Sequence, residues 1–369
     1  MRYCRTIRTK NDSNLNIVSF KMHTLFLHND DLHKIVSTIG VNTVMRNCIK
    51  GLLDAYLYYD STKIVMKKRD GFMYNKPHSG VLEWMPIMTD ENIALIKIVG
   101  YNPQNPVVKK LPTILSQINL VDTTTGHTLA LMDGRLMTAI RTGAASAVAS
   151  KLMANPDSEI LGIVGCGCQA VTQFHALSQE FNFKKIYLYD IDVDSAVSLS
   201  KYLERFDVVN EIVALEKLVE ESDIICTVTS AEANFTPVIK SLCTKQHTHI
   251  NAVGSDLPKK IEIPRELLMK SYVCPDYLEQ AIAEGECQQL RPHEIGLDII
   301  SLSKSTQNFD NLKQTITVYD STGIPLQDLV IAQQFIDYAK QLKMNNVLEK
   351  NIYSDQKNPY DGIDIRDFK

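Results

Sequence analysis

The sequence predicts an α/β protein, a doubly wound parallel sheet accompanied by a separate α+β unit. Three observations predict it. From residue 159 onward, short apolar runs alternate with helical stretches of about 10–15 residues, the pattern of parallel strands and crossover helices. The first of those runs is followed directly by a glycine loop, Gly165-Cys166-Gly167-Cys168-Gln169-Ala170. Between residues 80 and 133 the pattern is strand–turn–strand instead, which belongs to an antiparallel sheet. At 369 residues, 44% hydrophobic and 22% charged, the chain is long enough for two domains.

The elements follow in order. Residues 1–21 carry Arg2, Arg5, Arg8, Lys10 and Lys21 against the single acid Asp12. A secretory signal would need an apolar core of about 7–15 residues after its basic start, and none follows. The segment is read as non-structural, either a floppy extension or a stretch preceding a start at Met22. Leu32, Ile35, Val36 and Ile39, then Val44, Leu52, Leu53 and Tyr56, recur at helical spacing between Asp30 and Tyr59. Strands are expected at 80–88, 93–100 and 114–122, and Gly126 turns the chain into a further strand from His127. Leu136–Ala154 is an Ala-rich helix stopped by Asn155-Pro156. The alternation then runs through strands at 159–165, 185–190, 209–214, 223–229 and 247–254, with helices at about 169–181 and 193–205 between the first of them. ITVYDSTG (316–323) precedes a long amphipathic helix, Pro325–Lys343, and the tail from Asn345 is polar, with Pro359 in a turn.

Composition excludes some functions. A formal net charge of −4 argues against a nucleic-acid binder, which would gather basic residues on one face. No apolar run approaches the roughly 20 residues that cross a bilayer. Eight cysteines in so long a chain are too sparse for a disulfide scaffold, so a cytoplasmic protein is expected.

The glycine loop carries chemistry. Gly165 allows the tight turn, Gly167 lets backbone approach a pyrophosphate, and Ala170 keeps helix and strand close. The helix N-terminus offers unpaired N–H groups to an anion. The next strand ends at Asp190, 25 residues after Gly165, where an acid accepts bonds from ribose hydroxyls. Ile191 and Asp192 follow, with no Arg, so NAD is favoured over NADP in this Rossmann-type unit. Cys166 and Cys168 read as small loop residues, and His247 and His249 as ordinary polar positions on a strand. No metal motif stands out.

RTGAASAVASKLMANPDSEILGIVGCGCQAVTQFHAL (141–177) resembles the central signature of the ornithine cyclodeaminase/μ-crystallin family. The resemblance continues, in order, through GVLEWMP (80–86), KIVGYNPQN (97–105), CTVTS (226–230), NAVGSD (251–256), AEGECQQL (283–290) and YDSTG (319–323). It spans residues 22–343, and YNPQN, LPTI, GCGCQAVTQFHALS and AEGECQQL are most similar to the lysine cyclodeaminase branch. The resemblance implies a substrate-binding and dimerisation domain at 22–141 and 319–369, an NAD-binding Rossmann domain at 142–318, and a homodimer. It also implies a redox-neutral reaction: an α,ω-diamino acid is oxidised at Cα, cyclises with loss of ammonia and regains the hydride.

Residue by residue, the resemblance implies Arg69, Lys97, Thr113 and Arg141 around the substrate, and Asp256, Lys97 and Glu83 as catalytic groups. A guanidinium grips a carboxylate bidentately, whereas Lys97 supplies a point charge. Arg141 lies in an otherwise apolar helix, while Arg69 follows Lys67 and Lys68 in what also reads as a charge run. Asp256 follows a strand at the sheet edge where such folds present ligands. Glu83 reads either as a partner for the distal ammonium or as an outward residue of a strand. For the cofactor the resemblance implies Thr142, Gly165, Gly167, Cys168, Gln169, Ala170, Asp190, Thr227, Thr229, Val253 and Ser321. The leading expectation is a lysine or ornithine cyclodeaminase. A cyclic ketimine reductase or amino-acid dehydrogenase using NAD(P)H, and a non-catalytic μ-crystallin-like binding protein, are the alternatives. The acid–base residues count against the last.

Overall fold

The computed structural model describes residues 4–7, 18–240, 245–305 and 309–353. Two sheets organise it. The first contains β1 (Cys4–Ile7), β2 (Val18–Leu27), β3 (Ile64–Met66), β4 (Asp70–Tyr74), β5 (Gly80–Thr89), β6 (Ile93–Tyr101), β7 (Ile114–Asp122) and β8 (Thr128–Asp133). The second contains β9 (Ile160–Val164), β10 (Lys185–Tyr189), β11 (Val209–Ile212), β12 (Ile224–Thr227), β13 (Thr248–Ala252), β14 (Tyr272–Pro275) and β15 (Ile316–Asp320). β16 (Val347–Tyr353) returns to the first sheet and pairs with β2.

The second sheet is parallel throughout, in the order β11-β10-β9-β12-β13-β15-β14. It is the expected doubly wound unit, with the chain reversing direction across the sheet between β9 and β12. The first sheet is antiparallel from β3 through β8, while β2 joins β8 in parallel, Leu25 opposite Ala130. Gly126 takes φ +73° in the β7–β8 turn, and Gly40 takes φ +96° between the helices Asn29–Ile39 and Val41–Leu57.

Side-chain alternation orients the first sheet. Val81, Met85, Ile87, Leu95, Ile118, Leu120, Ala130 and Met132 point inward and are buried. The helix Pro325–Gln341 packs against β5 and β6. The helix Arg135–Met153 connects the two sheets. It is buried on every side, with Ala144, Ala145, Ala147, Val148 and Ala149 inaccessible to solvent, which suits its small residues better than an amphipathic stripe. Gly143 is required by close packing, because a Cβ there would lie 2.4 Å from the Thr172 carbonyl oxygen. One hydrophobic cluster runs from Leu25 and Tyr56 through this helix to Leu161, Cys226 and Phe335, so the two sheets have a common core.

Several expectations need adjustment. Residues 1–21, read as non-structural, contribute β1 and the start of β2, paired Cys4 opposite Lys21; residues 1–3 and 8–17 lie outside the described residues. The polar tail contributes β16, and Pro359 lies outside the described residues. β3, β4 and β14 went unforeseen because they are three to five residues long and the first two flank the basic Lys67-Lys68-Arg69 run. The domain limits at 141/142 and 318/319 fall inside the helix Arg135–Met153 and inside β15.

Candidate active site

The site lies where the inner face of the first sheet meets the C-terminal edge of the second. β6 turns Lys97 inward, and only 1% of that residue reaches solvent. Its Nζ lies 2.7 Å from Asp328 Oδ2, and Arg141 Nε lies 3.2 Å from Asp328 Oδ1. Arg141 Nη1 donates to Gln327 Oε1 at 2.9 Å, and Gln327 Nε2 donates in turn to the Tyr56 hydroxyl at 3.0 Å. Gly323 makes room for this group: it has φ +86°, and a Cβ would lie 2.8 Å from Arg141 Nη1. Burial pushes the Lys97 ammonium down to about 8, with Asp328 pulling upward and Arg141 downward.

Arg69 is buried, so it is no part of a solvated charge run. Its Nε stands 2.8 Å from Glu284 Oε1, in ion-pair contact, and its Nη1 donates to Glu83 Oε2 at 3.3 Å. Nη2 donates to the carbonyls of Thr322 and Gly323. Glu83 therefore faces inward, opposite Val99 in register, and Gly71 leaves it space because a Cβ there would come within 2.9 Å of it. Burial raises the Glu83 carboxyl against the pull of Arg69. It raises Glu284 to about 7, with Glu83, Asp256 and Asp276 adding to the rise. Asp256 is partly exposed and pairs with the buried Lys260 at 3.0 Å; its charge is felt by Arg69, Glu83 and Glu284.

The structure thus brings Arg69, Glu83, Lys97, Arg141 and Asp256 into one cluster. Thr113 is not joined to it by any hydrogen bond among the described residues. It is half-buried, just before β7, and its carbonyl accepts from Asn102 N at 2.8 Å. Asp328, Gln327, Glu284 and Lys260 were missed by sequence reasoning. The adjacent polar pair Gln327-Asp328 in the first turn of an otherwise buried helix was the available signal for two of them.

The glycine loop lies at the same edge. Gly165 has φ +95° and its N–H donates to the Tyr189 carbonyl at 2.9 Å; a Cβ would lie 2.9 Å from the Val228 oxygen. Gly167 caps the helix Cys168–Leu177 in extended geometry, and a Cβ there would meet nothing within 4 Å. Cys168 is exposed, Gln169 accepts from the Thr172 hydroxyl at 2.9 Å, and Ala170 is buried. Asp190 accepts from the N–H groups of Cys166 at 2.7 Å and Asp192 at 2.9 Å. Val253 N–H donates to the Thr227 carbonyl and Ser321 N–H to that of Ala252, which places both residues on the same edge. Thr142 donates its hydroxyl to the Thr138 carbonyl within its own helix. Thr229 turns its hydroxyl to the buried Glu262, at 2.7 Å, and Glu262 also holds Gly254 N at 2.8 Å. His249 is fully buried, with its ring nitrogens bonded to Thr317 and Asn251, and burial drives its imidazole down to about 4 against the upward pull of the Asn251 bond. Among the described residues no group of His, Cys, Asp and Glu is arranged to hold a metal ion.

These residues fit a dinucleotide. The open space at Gly167 would admit a pyrophosphate over the helix N-terminus, and Asp190 would take ribose hydroxyls. The Thr227 hydroxyl, fully buried and without a hydrogen-bond partner among the described residues, has a need for one that a ligand would meet.

The chain is 32% identical over 326 residues to the L-lysine cyclodeaminase of Streptomyces rapamycinicus, covering 88% of this chain and 95% of that protein. It superposes with TM-score 0.87 and 36% identity on a lysine cyclodeaminase whose structure addresses recognition of L-lysine, L-ornithine and L-2,4-diaminobutyric acid, covering 92% and 99% of the two chains. It also superposes, with TM-score 0.78 and 28% identity over 89% of this chain and 99% of the other, on an archaeal alanine dehydrogenase dimer with bound NAD. The cofactor is NAD. Gly167→Ala is expected to leave the melting temperature of the NAD-free protein unchanged and to weaken NAD⁺ binding by about tenfold or more, since the added methyl occupies the approach to the backbone. Unchanged affinity by calorimetry would place the pyrophosphate elsewhere. The family model of the ornithine cyclodeaminase/mu-crystallin family matches residues 29–343, and the chain belongs to that family.

Proposed function

We propose that the chain is a cyclodeaminase that converts an L-α,ω-diamino acid, L-lysine or L-ornithine, into the cyclic imino acid L-pipecolate or L-proline with release of ammonia. The observation that carries this reading is the opposite charge of the two ends of one buried cluster. Lys97 and Arg141 have one carboxylate, Asp328, between them, which leaves an excess of positive charge for an α-carboxylate. Glu83, Glu284 and Asp256 stand against Arg69 and Lys260, which leaves one negative charge in excess for a distal ammonium. The substrates named for the relatives, lysine and ornithine, have that polarity. A substrate such as alanine would use only the basic end, so the acidic end favours a diamine over the dehydrogenase reading.

Bound NAD⁺ supplies a transient hydride acceptor for Cα. The side chains do the rest. Lys97 and Arg141 grip the carboxylate, and Arg69, its guanidinium plane fixed by Glu83 and Glu284, stands between the two ends, where its charge also reaches Lys97. Glu83 receives the distal ammonium. Asp256, the partly exposed acid beyond β13, takes a proton from the ω-amine as it attacks and returns one to the departing ammonia. Ring closure expels one ammonia per substrate, and no net oxidation results.

The outer face of the first sheet supports a homodimer. Phe72, Leu82, Met88, Ile96, Ile98 and Leu115 are exposed there, an apolar surface of the kind that protein partners cover. Free thiols at all six cysteines with described side chains suit a reducing, cytoplasmic setting, and no described helix is long and apolar enough to cross a membrane.

With catalytic NAD⁺ and excess L-lysine or L-ornithine, ammonia should exceed NAD⁺ many-fold while absorbance from reduced nicotinamide stays flat. NADH rising in step with substrate would make the protein a dehydrogenase. In the same assay Asp256→Asn should bind NAD⁺ normally and release ammonia at least about a hundredfold more slowly; near-normal release would remove Asp256 from proton transfer. Ile98→Asp should turn a dimer into a monomer by light scattering, and an unaltered mass would move the interface off this face.

A further inference from the structure

Lys97 and Arg141 are held together out of water, and like charges in that setting repel while each loses its hydration. Asp328 answers both costs. It is fully buried, and its two oxygens face different cations: Oδ2 stands 2.7 Å from Lys97 Nζ, and Oδ1 accepts from Arg141 Nε at 3.2 Å. It is anchored in the first turn of the helix Pro325–Gln341, where a negative charge also meets the positive end of the helix. Gln327, its neighbour, holds Arg141 Nη1 at 2.9 Å and is itself oriented by the Tyr56 hydroxyl. Asp328 and Gln327 leave Nη2 as the Arg141 nitrogen that no described side chain holds. A carboxylate from outside would meet that nitrogen and the remaining hydrogens of the Lys97 ammonium.

We propose that Asp328 is the positioning residue of the carboxylate clamp: it spaces Lys97 from Arg141 and keeps the lysine in its ammonium form, without itself touching substrate. The proposal rests on the reading that Lys97 and Arg141 receive an α-carboxylate. The charged groups facing Lys97 are Asp328, Arg141, Arg69 and Glu83. Burial depresses the ammonium, the two arginines depress it further, and Asp328 is the strongest influence holding it up. Removing that carboxylate lowers the point at which Lys97 loses its proton. The clamp needs the charged form, so affinity for an α-carboxylate is lost as pH rises through that point. In Asp328→Asn the loss comes at lower pH than in the wild type.

The test is calorimetric binding of L-lysine, L-ornithine and L-alanine to the NAD⁺-loaded protein at about pH 6 and about pH 8.5, below and above the depressed lysine. Affinities are taken as the ratio of Asp328→Asn to wild type, so that titration of the ligands cancels. The expected result is a loss of about tenfold or more at the higher pH that shrinks to within about threefold at the lower, for all three amino acids, with NAD⁺ affinity unchanged. A loss equal at both pH values would mean that Asp328 is structural only, and an unchanged affinity at both would mean that it does not serve the clamp; either overturns the proposal. Binding of no amino acid by the wild type would overturn the cyclodeaminase reading and the clamp together, which distinguishes it from failure of the variant alone. If Asp328→Asn does not fold, Lys97→Arg replaces it. A guanidinium keeps its charge across this range, so the alkaline loss of affinity expected of the wild type should vanish. Its persistence would overturn the proposal.

Discussion

Lys97 sits on the inner face of a sheet with almost no exposure, and the rest of the site is arranged around that fact. A buried ammonium without a partner is untenable, and removing one member of a buried ion pair costs about 3–5 kcal/mol. Asp328 supplies the countercharge, which requires the helix Pro325–Gln341 to lie across β5 and β6. The helix Arg135–Met153 must then bring Arg141 to the other oxygen of the same carboxylate, and Gly323 must lack a side chain for the guanidinium to pass. Three segments far apart in the chain are thereby locked at one point.

The same junction ties the two halves of the molecule. β15 belongs to the parallel sheet, and the segment after it contacts Arg69 through the Thr322 and Gly323 carbonyls. Asp276 accepts from the Thr322 hydroxyl at 2.7 Å, and Asp320 holds the N–H groups of Glu286 and Cys287, so the loops that follow the parallel strands are stitched by buried carboxylates. Asp320, held with both oxygens bonded to backbone, is nonetheless pushed up to about 7 by its burial. These bonds join the edge at the glycine loop to the edge at the cluster of Arg69, Lys97 and Arg141.

Much of this was legible before any coordinates. The alternation of strands and helices after residue 159, the turn at Gly126 and the acid at Asp190 each depend on local spacing, and local spacing is what a sequence displays. The inward or outward sense of Glu83 depends on which face of its strand meets the core, and both readings fit its apolar neighbours. The structure turns it inward to Arg69. Asp328 and Glu284 escaped notice because their roles exist only through partners more than a hundred residues away. Thr229 lies two residues past the end of β12, and its hydroxyl is turned to Glu262, a carboxylate that no local pattern singles out. β16 was hidden because its apolar residues, Val347-Leu348 and Ile352-Tyr353, come in adjacent pairs and do not alternate with polar ones.

On the proposed reading, Lys97 and Arg141 take the α-carboxylate of a diamino acid and the acidic residues around Arg69 take its distal amine. The central claim is that oxidation at Cα is temporary and its hydride comes home. The most direct measurement is conversion of L-lysine deuterated at Cα, in ordinary water with catalytic NAD⁺, followed by mass spectrometry of the cyclic product. The account predicts that each product molecule keeps its deuterium on the same carbon through many turnovers. Deuterium accumulating in the nicotinamide, or a product carrying hydrogen at that carbon, would contradict it.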